Sequence, residues 1–301
     1  MKTMIVAFAV ASALFAGSAA AQELTGTLKK IKDSGKIVMG VRDSSSPLSY
    51  TLGGGKFAGF HVELCEKAIE NIKSQLKLPK LEIQYMAVTS QNRIPLTENG
   101  TVDIECGSTT NNVARQKQVA FAVTTYITEV RTAVKASSGI TSISQLNGRT
   151  VATTTGTTSV QHLRKHERAK GINFKEIFAK DHADSFLLLE SGRAEAFVMD
   201  DNILAGLIAT SKNPSEFKIV GEVLSVEPIA IMMRKGDAAF KKAVDDTIRA
   251  MVKSGEFEKV YNKWFMSPIA PRNTSVNLPM GATLKAAIAN LNDKPMEEYN
   301  K

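Results

Sequence analysis

Short β-branched runs alternate along the chain with stretches whose apolar residues recur at helical spacing. That alternation predicts an α/β fold with mainly parallel sheets. Lys36 to Val41 reads as the first strand, and 59–76 as a helix with Leu64, Ala68, Ile69 and Ile72 on one face. A strand over 81–88, a short helix over 90–99 capped by Ser90, and a strand over 102–106 follow. The last of these runs into Gly107, Ser108, Thr109 and Thr110. Loops at the carboxyl ends of parallel strands are where α/β folds bind ligands, so 107–115 is the first candidate site.

A second unit after Lys135 repeats this logic, with a short helix over 142–146 and a strand over 150–154 entering Gly156, Thr157, Thr158 and Ser159. A strand over 195–199 carries Asp200 and Asp201 at its end. The pattern changes again at 229–234. A long amphipathic helix then turns Phe240, Val244, Ile248, Met251 and Val252 inward and stops at Gly255. Another helix closes on Trp264 and Phe265, before Pro268 and Pro271, and the polar tail from Asn292 is expected to be loose.

The N-terminus departs from this pattern. Lys2, an apolar run over 4–15 and the small residues Ala19, Ala20 and Ala21 form the layout of a secretory signal, so residues 1–21 are expected to be removed. The run is shorter than the roughly 20 apolar residues of a membrane span. No cysteine follows it, which favours a free periplasmic protein over a lipid-anchored one in a two-membrane cell. About 280 residues remain, which suits two domains better than one core. The formal charge of +8 falls to +7, since Lys2 is the only charge in the leader. Export and the scatter of basic residues, without interleaved aromatics to stack bases, exclude nucleic acid and leave a bias toward small anions.

Several longer strings are specific: Thr89-Ser-Gln-Asn-Arg-Ile-Pro-Leu96, Glu105-Cys-Gly-Ser-Thr-Thr-Asn-Asn112 with Arg115, Ala179-Lys-Asp-His-Ala-Asp-Ser-Phe186, Leu189-Glu-Ser-Gly-Arg193 and Phe197-Val-Met-Asp-Asp201. On these the chain, over about 28–265, resembles the periplasmic substrate-binding proteins of polar amino acid ABC transporters, solute-binding protein family 3, and within them the glutamate/aspartate-binding group. The resemblance implies two α/β lobes joined by two strands, with crossings near 132–136 and 227–231. Lobe 1 would span 22–134, lobe 2 135–229, and the return to lobe 1 with the tail 230–301. It implies a monomer without cofactor or metal that closes on L-glutamate or L-aspartate and delivers it to permease subunits in the inner membrane. Two positions depart from the family: His61 stands where many relatives carry an acid, and Leu48 where they carry an aromatic.

A free amino acid offers an α-carboxylate, an α-ammonium and a side chain, and a selective site must meet all three. Arg115, four residues after Asn111, matches the family's partner for the α-carboxylate, which a planar guanidinium binds with two parallel bonds. Thr110 would add a hydroxyl or backbone donor, and Ser108 a carbonyl or hydroxyl near the ammonium. Gly156 to Ser159 opens a helix, where free N–H groups favour an anion, with Thr158 the best contact; a plain helix cap is the commoner meaning of such residues. Asp200 matches the acceptor for the ammonium. Its neighbour Asp201 competes for that role, but strand alternation turns it to the other face. Arg42, Arg93 and His182 match the positions around the side-chain carboxylate, and Ser90 can also donate there. Three arginines against Asp200 leave the cleft slightly positive, which disfavours neutral side chains.

Other readings carry less. His162 and His166 are four apart, a metal-site spacing, but without a third ligand they read as a solvated basic helix face. Cys65 and Cys106 in an exported protein are expected to pair. The same lobe pair serves dehydratases of the cyclohexadienyl type, but these need an apolar ring slot, and its aromatic is here Leu48. A sensor-kinase adaptor is the third class.

Overall fold

The computed structural model describes residues 24–300, so the expected signal sequence lies outside the described residues. Two five-stranded sheets dominate. In the first, Lys36–Val41 lies between the parallel strands Glu82–Ala87 and Ile104–Glu105; Met232–Arg234 and Val119–Phe121 complete it with antiparallel pairings. The second repeats the plan, with Thr150–Thr154 between parallel strands Lys175–Ala179 and Ala196–Asp200, then Tyr126–Lys135 and Phe217–Ile229 antiparallel. Half the strand pairs in each sheet are therefore parallel. The returning strands supply the other half.

Burial explains the patterns. Helix Phe60–Gln75 buries Leu64, Ala68, Ile69 and Ile72, and helix Ala238–Ser254 buries Phe240, Val244, Ile248 and Met251 in the same core. Gly255 ends that second helix with a φ of 77°, a left-handed turn that glycine adopts without strain. In the second sheet every residue of Ala196–Asp200 is buried, because helices cover both faces. Ala196 and Val198 enter one apolar cluster, Phe197 and Met199 the other. Cys65 and Cys106 are joined, tying the first long helix to the strand end that precedes Gly107.

Three expectations need correcting. Tyr126–Lys135 pairs along its length in the second sheet, from Tyr126 with Ile229 to Lys135 with Phe217, so the chain has left the first sheet before Tyr126 and not near 132–136. Ser90 does not cap the helix Arg93–Glu98. Thr89 and Asn92 exchange side-chain-to-backbone bonds there, and Arg93 N–H donates to the Thr89 carbonyl. The tail is not loose. Asn111 Nδ2 donates to the Asp293 carbonyl, Met296 N–H to the Asn111 carbonyl, and Asn300 exchanges two bonds with the Val226 backbone. A polar segment fixed through backbone groups carries no apolar pattern to betray it.

Candidate functional site

The two sheets point their carboxyl strand ends at each other. Between them lies a small cavity of about 10 Å³, lined by Ser90, Arg93, Ser108 and Thr110 from one side and Thr157, Thr158, His182, Met199 and Asp200 from the other. The lobes meet closely around it. A Cβ on Gly156, whose φ is +82°, would fall 2.9 Å from the backbone of Gln91, so only glycine fits there.

Seven of the nine residues expected at the site line this cavity; Arg42 and Arg115 do not. Arg42 is fully buried behind it, donating to Ser90 Oγ (3.0 Å) and Ser108 Oγ (3.3 Å), with His182 Nε2 3.2 Å away. Arg115 spans the cleft end, donating to the Thr110 carbonyl (2.9 Å) and, at 3.5 Å, to that of Gly156. Burial works against the charged form of Arg115, and Glu227, Asp200 and Glu105 oppose that effect.

Arg93 is buried, and among the described residues its Nε and Nη1 have no hydrogen-bond partner; Glu105 Oε1 lies 4.0 Å from Nη1. Burial and the Arg42 charge disfavour its charged form, while Glu105 and Asp200 favour it. A guanidinium does not deprotonate in proteins, so Nε and Nη1 remain hydrogen-bond donors. Asp200 is the opposite pole. Burial, Glu227 and Asp201 push its carboxyl well above the usual carboxylate range, against the pull of Arg93 and Arg115. Asp201 turns away, accepting from Thr128 Oγ1 and Glu129 N–H, in keeping with the strand alternation.

His182 differs from expectation. Arginine can only donate, so the Arg42 contact makes His182 Nε2 an acceptor and leaves the proton on Nδ1, 3.0 Å from Thr154 Oγ1. Burial, Arg42 and Arg93 hold its pKa well below the ordinary histidine value. It therefore orients Arg42 and adds no positive charge. The balance is also tighter than three arginines against Asp200, because Glu105 and Glu227 are fully buried nearby. His162 is no solvated residue: its Nε2 lies 2.8 Å from Glu227 Oε1. Both acids sit on strands, Glu105 on Ile104–Glu105 and Glu227 on Phe217–Ile229, but nothing in sequence paired Glu227 with a helix 65 positions earlier.

Leu48 packs in the first core and not on the cavity, which leaves no apolar slot for a ring. Larger grooves exist elsewhere, as beside Trp264, but their charges are already matched: Glu63 accepts from Lys263 and Trp264, and Lys67 donates to Glu256.

His61 ties the site to the crossing. Nδ1 bonds the Gly107 carbonyl, and Nε2 lies 2.8 Å from Thr125 Oγ1. Burial lowers its pKa from 6.5 to about 4. The unfolded chain then binds more protons between these values, so this contribution is full above pH 6.5 and is lost as pH falls toward 4. The loss reaches about 3 kcal/mol. Thermal melting of ligand-free protein at pH 7.5 and 5 should show it, and His61→Gln should flatten the slope; an unchanged slope in the variant would refute the assignment.

The model of the bacterial extracellular solute-binding proteins, family 3, matches residues 37–267. The chain belongs to that family. Among family members, the L-glutamate/L-aspartate-binding protein of Pseudomonas aeruginosa is 47% identical over 296 residues, covering 98% of each chain. The glutamate/aspartate import solute-binding protein of Escherichia coli is 44% identical over 294 residues, covering 98% of this chain and 97% of that one. Among solved structures, a mutant of the arginine-binding protein ArgBP from T. maritima superposes with a TM-score of 0.70 at 26% identity, covering 79% of this chain and 99% of its own. An ancestral amino acid-binding protein, a precursor of cyclohexadienyl dehydratase, gives 0.69 at 26% identity with the same coverage. The curated relatives are named for binding and import, and the family's two-lobe architecture is the one described above.

Proposed function

We propose that this family 3 protein closes on L-glutamate or L-aspartate and hands it to an ABC importer. The observation that carries the reading is a single cavity with a buried guanidinium, Arg93, whose Nε and Nη1 make no hydrogen bond among the described residues, on one wall and the Asp200 carboxylate on another. A zwitterion with a second carboxylate supplies a partner for each. Arg115 and the N–H groups of Thr110 and Thr158 would take the α-carboxylate. Thr158 opens the helix Thr158–Lys170, where the first N–H groups have no intrahelical acceptor. Asp200 would take the ammonium, and Arg93, backed by Arg42, Ser90 and His182, the side-chain carboxylate. The strand pairings support lobes that exchange near Thr125 and Ala230. Delivery to permease subunits, a monomeric state and export to the periplasm belong to the same proposal.

Calorimetry of unfolded and refolded, ligand-free protein against the common amino acids tests it. Glutamate and aspartate should bind far more tightly than glutamine, arginine or leucine. Tighter binding of any neutral or basic amino acid would overturn the reading.

A further inference from the structure

Of the two buried acids beside the cleft, Glu105 accepts from Thr109 Oγ1 in its own loop, and Glu227 has no role above. Glu227 sits on the returning strand Phe217–Ile229, between the lobes. Its Oε2 accepts from Thr110 Oγ1 (2.6 Å) on the first-lobe side and from Thr158 Oγ1 (2.8 Å) on the second. Its Oε1 faces His162 Nε2 at ion-pair distance, without hydrogen-bond alignment. Burial alone would raise the Glu227 carboxyl, but His162 and the two threonine hydroxyls hold it below its usual value.

We propose that Glu227 is a positioning residue for the ligand: it takes the hydroxyl protons of Thr110 and Thr158, one from each lobe, and so turns both hydroxyls into acceptors toward the cavity. The inference rests on the cleft taking an α-amino acid. A hydroxyl has one proton and two lone pairs. Once the proton is committed to a carboxylate, only lone pairs remain for a ligand. Thr110 and Thr158 both line the cavity. Their oxygens then suit an ammonium and repel a carboxylate, and their backbone N–H groups stay available as donors for the carboxylate. The two ends of the amino acid are thereby told apart by residues that a sequence comparison would score only as generic hydrogen-bonding partners.

Charge adds a second effect. The groups acting on Asp200 are Arg93 and Arg115 from the first lobe, Asp201 beside it, and Glu227 from the crossing strand. Glu227 and Asp200 thus both act on Arg115, and an arriving ammonium relieves both acids. The Thr110 and Thr158 oxygens are 3.4 Å apart, so the one carboxylate oxygen, Glu227 Oε2, serves both.

The test is a mutant cycle read by calorimetry with glutamate, on refolded protein: native, Glu227→Gln, Thr110→Val with Thr158→Val, and all three changes together. Glu227→Gln and the double valine variant should each weaken binding by about tenfold or more. The loss in the triple variant should fall clearly short of the product of the two separate losses, because Glu227 acts in part through those hydroxyls. Effects that simply multiply would overturn the proposal. A second reading is one that a merely structural role does not move: the pH midpoint at which affinity rises as Asp200 ionises should shift lower in Glu227→Gln, and an unchanged midpoint overturns the charge linkage. Should Glu227→Gln fail to fold, Glu227→Asp, which draws the carboxylate back by one methylene, takes its place in the cycle with the same expected non-additivity. Native protein that binds no amino acid overturns the functional reading itself, whereas native binding with additive variants overturns only this inference.

Discussion

Asp200→Ala and Arg115→Ala are each expected to weaken glutamate, aspartate and glutamine together, by about 2 to 5 kcal/mol, or at least about thirty-fold. Asp200 is buried on the cavity wall, and its carboxyl is pushed up by burial and by Glu227. Without a cation beside it, it is held at a cost. Removing it leaves an arriving ammonium without its carboxylate. Arg115 joins the Thr110 and Gly156 carbonyls across the cleft end and also opposes the charges of Glu227, Asp200 and Glu105. Its loss therefore removes a donor for the α-carboxylate and leaves buried acids less compensated. Because the proposed roles of both residues concern groups shared by every α-amino acid, the ratios among ligands should hardly change. Calorimetry checks this directly. Affinities for glutamate and aspartate within a factor of two of native would contradict both assignments.

Replacing Cys65 and Cys106 together by Ala should cost about 4 kcal/mol of stability in the chain-entropy account, for a sequence separation of 41. Both residues are fully buried in the first core, and neither lines the cavity. The bond holds the strand end before Gly107 against the helix that carries His61, and His61 in turn bonds the Gly107 carbonyl. Melting temperature should fall by about 10 °C. Glutamate affinity of the folded variant should stay within a few-fold. Thiol titration of denatured, unreduced native protein should find no free thiols; two reactive thiols, or an unchanged melting temperature in the variant, would contradict the account.

Much of the fold was legible because each element carries its own local signal. The face of Phe60–Gln75, the stop at Gly255 and the apolar run Ala196–Asp200 follow from spacing and burial alone. Ser108, Thr110, Thr158 and Asp200, read from strand ends and the first turns after them, and Arg93, read from the family resemblance, all line the cavity. What escaped were relations made only when distant elements meet. Glu227 with His162, and the neutral His182 held by Arg42, depend on how the two lobes face each other. The fixed tail depends on backbone carbonyls, which every residue type shares. Ser90 misled because a serine before a helix commonly caps it, while here the Thr89 and Asn92 exchange does so and Ser90 takes the Arg42 guanidinium.

The central claim is that the cleft selects a side-chain carboxylate through buried arginine. The ratio of glutamate to glutamine affinity in native protein, Arg93→Ala and Arg42→Ala tests it most directly, because the two ligands share their α-groups and differ only in the charged oxygen. Arg93 presents Nε and Nη1 without partners, so its loss should remove a charge-assisted pair of about 1.5 to 3 kcal/mol from glutamate and far less from glutamine. The ratio should fall about ten-fold to a hundred-fold in Arg93→Ala. It should also fall in Arg42→Ala, which unties Ser90, Ser108 and His182. A ratio unchanged in both variants would mean that these arginines are structural and that preference for an acidic side chain arises elsewhere.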